Sequence, residues 1–259
     1  MENQSIETEI KTPEVYSQIQ SNKLSIPAAI IVAGVIIAGA VYFSNNGRQI
    51  TAGAGQGNPS PQQPIAQQTG DLEQMKPISK DEHIRGNPDA PVKIVEYSDT
   101  ECPFCKRFHG TMKEVMNEYG TDGEVAWVYR HFPLDQLHSK ARKEAVALEC
   151  ANEQGGNDKF WSYADRLYEI TPANNGLEPS ELPKIAQFVG LDVVKFNTCL
   201  ESTKYDQHIE DDVQNAQATG GNGTPWSIVV AKNGKKYPLS GAQPYTSVKQ
   251  LIDLALQEK

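Results

Sequence analysis

Two of the four cysteines in this 259-residue chain are spaced Cys102-Pro103-Phe104-Cys105. Thiols at this spacing can lie one helical turn apart and close a disulfide, so the pair can accept and deliver two electrons by thiol–disulfide exchange. Two other chemistries use the same spacing. A CxxC pair is half of a zinc site when a second pair or close histidines complete it. Here Cys150 and Cys199 stand alone, and His109 follows Cys105 on the same stretch. Two buried, inert thiols are the third reading. The redox reading is favoured by what flanks the motif, an apolar strand before it and an amphipathic helix after it.

The strand is Val92-Lys93-Ile94-Val95-Glu96-Tyr97, rich in β-branched and aromatic residues, and it extends over 92–98. The helix is marked by Phe104, Phe108, Met112, Val115, Met116 and Tyr119 at helical spacing, and Gly120 ends the run. Proline favours the first helical position, so Pro103 makes Cys102 the expected N-cap. At that position the unpaired N–H groups and the positive end of the helix dipole stabilise a thiolate. A stabilised thiolate is a good leaving group, and its sulfur is readily attacked when oxidised.

Motif and context together resemble the thioredoxin superfamily, and the stretch "YSDTECPFCKRFH" resembles its DsbA branch of exported thiol–disulfide oxidoreductases. The resemblance covers the body after residue 76. It implies an α/β thioredoxin fold with a helical insertion, no organic cofactor and no metal.

The chain before that body is organised differently. Residues 1–23 are polar and mixed in charge, a short tail expected on the cytoplasmic side. From 24 to 43 no residue is charged, and about 20 residues at 1.5 Å each span roughly 30 Å, the thickness of a bilayer core. An uncleaved transmembrane signal-anchor is expected there. A cleaved signal peptide is the alternative, since Ala38-Gly39-Ala40 resembles a cleavage site. Residues 44–75 are rich in Gly, Pro, Gln and Asn and read as a flexible linker. Disulfide chemistry belongs on the oxidising side of a membrane, so the catalytic body is expected outside the cell membrane. The net charge of −9 argues against a nucleic-acid partner.

Within 76–259, Glu124 to Arg130 reads as a second buried strand, completing a βαβ unit with parallel strands. From about Leu137 to Ala218 the periods are helical, with turn signals at Gly155-Gly156-Asn157, from Pro172 to Gly176, and at Gly190. This is the predicted insertion, about 135–219. Strand signals return at Trp226 to Val230, Asn233-Gly234 marks a hairpin, and Pro238 marks the next strand as an edge. Leu251, Ile252, Leu254 and Ala255 give a last amphipathic helix.

Further site residues follow from the resemblance. Thr224-Pro225 occupies the place where thioredoxin-like proteins carry a cis-proline facing the CxxC, whereas the ordinary expectation for an X–Pro bond is trans. There the backbone of Thr224 would pair with an extended substrate, next to Pro103 and Phe104. Glu96 interrupts an apolar strand, either as a paired structural carboxylate or as a proton carrier for Cys105, and the family's acidic residue at this spacing favours the second. Well-known relatives have Pro-His between the cysteines, and Pro-Phe here removes an imidazolium beside the thiolate. Relatives also carry a second disulfide in the helical domain, which implies a structural Cys150–Cys199 bond in an oxidising compartment. His131 and His138 border the insertion and are expected to be polar surface or loop residues, without metal-ligand spacing.

The expected function is introduction of disulfides into reduced secreted or surface proteins. Reoxidation would come from a DsbB-like or vitamin-K-epoxide-reductase-like membrane partner. A disulfide isomerase or reductase is one alternative, but such proteins are usually dimers and no dimerisation domain is visible, so a monomer is expected. A non-enzymatic thioredoxin-like chaperone is the other.

Overall fold

The computed structural model describes residues 70–258. The expected tail 1–23, the span 24–43 and most of the linker lie outside the described residues. Among the described residues, no helix is long and apolar enough to cross a membrane.

Five strands form one sheet in the order β1-β3-β2-β4-β5. β2 (Val92–Ser98) is central, and its residues are buried on both faces apart from Lys93, as the run of β-branched and aromatic side chains requires. β3 (Val125–His131) lies parallel to it, with Ser98 opposite His131. β4 (Trp226–Val230) runs antiparallel on the other side, with Tyr97 opposite Trp226. β5 (Lys236–Ser240) pairs only with β4, so Pro238 sits on an edge, where a missing N–H is tolerated. β1 (His83–Gly86), antiparallel to β3, is an edge strand that the sequence reading did not contain. It has four residues and no alternating pattern, so only its partner reveals it.

α1 (Pro103–Val115) leaves the C-terminal end of β2 and continues through one wider turn to Gly120. α2 (Ala141–Ile170) opens the insertion. It is broken at Gly155 and Gly156, where Gly156 takes φ 66°, a left-handed conformation that glycine reaches without penalty. α3 (Glu181–Phe188), α4 (Val193–Leu200) and α5 (Asp206–Ala218) complete it, and α6 (Tyr245–Gln257) closes the chain. The order βαβ, helical insertion, ββα is therefore found, preceded by β1.

Two apolar layers flank the sheet. Val92, Ile94, Trp127 and Tyr129 pack with α1, α2 and α6 on one face. Val95, Tyr97, Val128 and Ile228 pack with Val213 and Ala216 of α5 on the other. The folded body begins before residue 76. Met75 is buried in the second layer, Asp71 N–H donates to Ala218 O at 3.0 Å, and Asn215 Nδ2 donates to Gln74 O at 2.7 Å. The Gly/Pro-rich composition of 44–75 did not reveal this end of the segment, which is held by one buried side chain, Met75, and by backbone groups of Asp71 and Gln74.

Candidate functional site: a dithiol at a helix N-terminus

Cys102 is the N-cap of α1, with extended backbone (φ −78°, ψ 121°) and Pro103 in the first turn. Its carbonyl accepts the first helical hydrogen bond, from Lys106 N–H at 3.0 Å. Cys102 and Cys105 are both free thiols in the structure. Cys105 is wholly enclosed, and Cys102 retains 4% exposure. Little of Cys102 reaches the surface, because the Thr224 segment lies against its sulfur. The Cys102 thiol points at the carbonyl oxygen of Thr224, 3.4 Å away. The Thr224–Pro225 bond is cis, and Thr224 is half-buried beside a buried Pro225. Pro103 is exposed and Phe104 is 54% exposed, so an aromatic face stands at the rim.

The two thiols are pushed in opposite directions. A hydrogen bond from the Cys105 thiol draws the Cys102 pKa down to about 6, against the effect of burial, with further help from Thr224 and the N–H groups of Cys105 and Phe104. Burial and the neighbouring Cys102 thiolate push Cys105 well above an ordinary thiol. Cys105 Sγ also accepts a hydrogen bond from Asp99 N–H at 3.4 Å. The pair therefore carries its negative charge on the outer sulfur, which is what an exchanging dithiol needs.

Glu96 is 1% exposed. Burial raises its pKa to about 7, although Ser98 Oγ donates to one carboxylate oxygen at 2.7 Å and Trp127 Nε1 to the other at 2.9 Å. A carboxyl poised near neutrality beside the thiol pair can hold or release a proton at working pH.

Two buried acids near the motif escaped the sequence reading. Glu101 precedes Cys102 and is fully buried. Its carboxylate accepts from Gly176 N–H at 3.2 Å and Leu177 N–H at 3.3 Å, and its carbonyl accepts from Asn174 N–H at 2.7 Å. It thereby holds a loop of the insertion in which Ala173, Asn174 and Asn175 all have positive φ. Strained backbone of this kind gathers at functional sites. Burial and the facing Glu101 raise Glu144 of α2 to about 9. The only signal in the sequence was an acid next to the motif.

His131 and His138 are not surface residues. They are 1% and 7% exposed, and each bonds a buried carboxylate: His138 Nδ1 lies 2.9 Å from Asp99 Oδ2, and His131 Nε2 lies 2.8 Å from Glu149 Oε1. Cys150 and Cys199 are joined by a disulfide with Cα atoms 5.8 Å apart, linking α2 to α4.

With this geometry in place, the chain can be compared with known proteins. It belongs to the thioredoxin family: a family model described as Thioredoxin matches residues 79–254. Among solved structures, Pseudomonas aeruginosa DsbA2 is 29% identical and superposes with a TM-score of 0.61, covering 71% of this chain and 100% of that one. Oxidised BdbD from Bacillus subtilis is 23% identical, with a TM-score of 0.62 over 73% of this chain and 98% of that one, which shows the shared fold. The body is a thioredoxin-like domain with a helical insertion and DsbA-family structural neighbours, and these support thiol–disulfide oxidoreductase activity at that general level. Curated relatives carry another name. The Na(+)/H(+) antiporter NhaA 1 of Mycolicibacterium gilvum is 36% identical over 181 residues, which is 69% of this chain and 27% of that protein. NhaA 3 of Salinispora tropica is 34% identical over 169 residues, 65% of this chain and 24% of that protein. The chain spans about a quarter of the length of these relatives, so their name describes proteins most of whose length lies outside the match.

Proposed function

We propose that this protein is an exported, membrane-tethered thiol–disulfide oxidoreductase that introduces disulfides into secreted or surface proteins. The observation that carries the reading is the asymmetry of the dithiol: Cys102 is drawn down to about 6 at the helix N-terminus, while the enclosed Cys105 is pushed up. In the oxidised protein, a substrate thiolate attacks Cys102 Sγ and breaks the Cys102–Cys105 bond. Cys105 leaves as a thiolate and takes a proton from Glu96. The substrate's second thiolate then attacks the substrate sulfur of the mixed disulfide, expelling Cys102 as a stabilised thiolate. The products are an oxidised substrate and a reduced enzyme, and no cofactor enters the exchange.

The groove beside Thr224-Pro225 binds an extended substrate segment through backbone hydrogen bonds to Thr224, with Pro103 and Phe104 supplying apolar contact. A membrane protein of the DsbB or vitamin-K-epoxide-reductase type accepts the electrons from the reduced pair. The span 24–43 tethers the body on the extracytoplasmic side. The test is oxidation of a reduced dithiol peptide by the oxidised protein, read as transfer of one disulfide per protein molecule. Failure of transfer at neutral pH, with the Cys102–Cys105 bond intact at the start, overturns the reading.

A further inference from the structure

Three imidazoles and one carboxylate converge away from the dithiol. His83 Nε2 lies 2.7 Å from Glu149 Oε1, His131 Nε2 2.8 Å and His208 Nε2 3.5 Å from the same oxygen. These four ligand atoms all lie within 4.8 Å of one another. They come from four elements: β1, β3, α2 and α5. The partners of Glu149 are 66 and 18 residues away for His83 and His131, so no local spacing could reveal the cluster.

We propose that His83, His131, His208 and Glu149 form a binding site for a divalent transition-metal cation of the Zn2+ class. All three imidazoles approach one oxygen, Glu149 Oε1. A carboxylate oxygen offers two lone pairs, and His83 and His131 already use both at hydrogen-bond distance. The third imidazole nitrogen is turned to an atom with no lone pair left for it. A cation at the centre resolves this, since all three Nε2 lone pairs and the carboxylate oxygen then face it. Three imidazoles with one carboxylate form a donor set that suits Zn2+ in tetrahedral geometry. Bonds of about 2.0–2.1 Å put tetrahedral ligands about 3.3 Å apart, within reach of small side-chain rotations from the observed positions.

The surroundings fit a built site. The His83 ring stacks on Phe160 with centroids 3.6 Å apart and planes within 3°, which fixes its orientation. Asp212 Oδ2 accepts from the backbone N–H of His131 at 3.0 Å and lies 3.9 Å from His208 Nε2, close enough to supply a further oxygen to a cation held there. Three of the four side chains are at most 7% exposed, while that of His208 is 48% exposed and offers the entry side. A groove of about 290 Å³, lined by His83, His208 and Asp212, leads to it. Metal bound here would tie the edge of the sheet to the helical insertion, next to the Cys150 end of the disulfide.

The test uses the full chain with the Cys102–Cys105 disulfide closed, so that the thiolates cannot bind metal. Zn2+ titrated against a chromogenic chelator is expected to bind 1:1, with a Kd below about 1 µM. Co2+ is expected to give the visible bands of a four-coordinate site, and Zn2+ to raise the melting temperature. His208→Ala, made at the exposed ligand so that the fold persists, is expected to weaken Zn2+ binding at least tenfold and to abolish the thermal shift. Absence of 1:1 binding overturns the proposal, as does a His208→Ala protein that binds Zn2+ as tightly as the parent.

Discussion

The thiol sulfur of Cys102 and the carbonyl oxygen of Thr224 lie 3.4 Å apart, although 122 residues separate them in the chain. The contact joins the N-terminus of α1 to the segment that leads into β4. It also accounts for the low exposure of Cys102. Under the function proposed above, a substrate thiolate would reach the sulfur along the Thr224 segment, and chemistry and binding would share one groove.

The lowered Cys102 pKa makes the stability of the reduced protein depend on pH. Between about 6 in the folded protein and about 9 in the unfolded chain, the unfolded state binds the extra proton. The thiolate therefore stabilises the reduced fold above that window, and the stabilisation is lost as pH falls through 6. Reduced minus oxidised unfolding free energy is expected to grow from pH 6 to pH 9 by on the order of 2 kcal/mol, after discounting for partial solvation. Parallel denaturant titrations of both forms measure it, and a difference that stays constant contradicts the assignment.

Glu96 carries a different pH dependence. With its pKa near 7, it can accept a proton above that value and donate one below it, as the proposed exchange requires. Glu96→Gln keeps the hydrogen-bonding shape and removes the titration. Attack of Cys105 on a mixed disulfide is expected to slow by tenfold or more at pH 7 and to lack the rise through pH 7 expected of the parent. Stopped-flow release of a peptide bound to Cys102 reads both effects.

The Cys150–Cys199 bond closes a loop with a sequence separation of 49 residues. In the chain-entropy model this stabilises by about 4 kcal/mol. Replacing both cysteines by alanine is expected to lower the melting temperature by roughly 10 °C. Peptide oxidation by Cys102–Cys105 should persist at temperatures where the variant is folded. Calorimetry with a parallel activity assay separates the two.

Topology is tested in cells. If residues 24–43 anchor the body outside, protease added to spheroplasts removes the thioredoxin-like domain while a cytoplasmic marker survives. Full protection of the domain sinks the anchored, outward reading, and a mature N-terminus near Val41 points to cleavage.

The dithiol and its frame were legible because their signals are local: Pro103 at a helix start, a β-branched strand before it, Asn233-Gly234 at a hairpin. Gly156 broke α2 where the Gly155-Gly156-Asn157 signal fell. What stayed hidden depends on contacts distant in sequence. β1 exists because Ile84 lies opposite Val128, not because His83–Gly86 favours a strand. Glu101 carries no local signal, and only the fold brings the three N–H groups of Asn174, Gly176 and Leu177 to it. His83, His131 and His208 carry no mutual spacing, and only the packing of α2 and α5 against the sheet brings them to Glu149.

The most direct test of the central claim is trapping. The reduced Cys105→Ser protein, incubated with a disulfide-bonded peptide, is expected to accumulate a mixed disulfide at Cys102, identified by mass spectrometry of the linked fragment. Cys102→Ser is expected to form none, because its remaining thiol is enclosed and protonated at neutral pH. Trapping only in Cys102→Ser, or in neither variant, would contradict the assignment of Cys102 as the attacking and attacked sulfur.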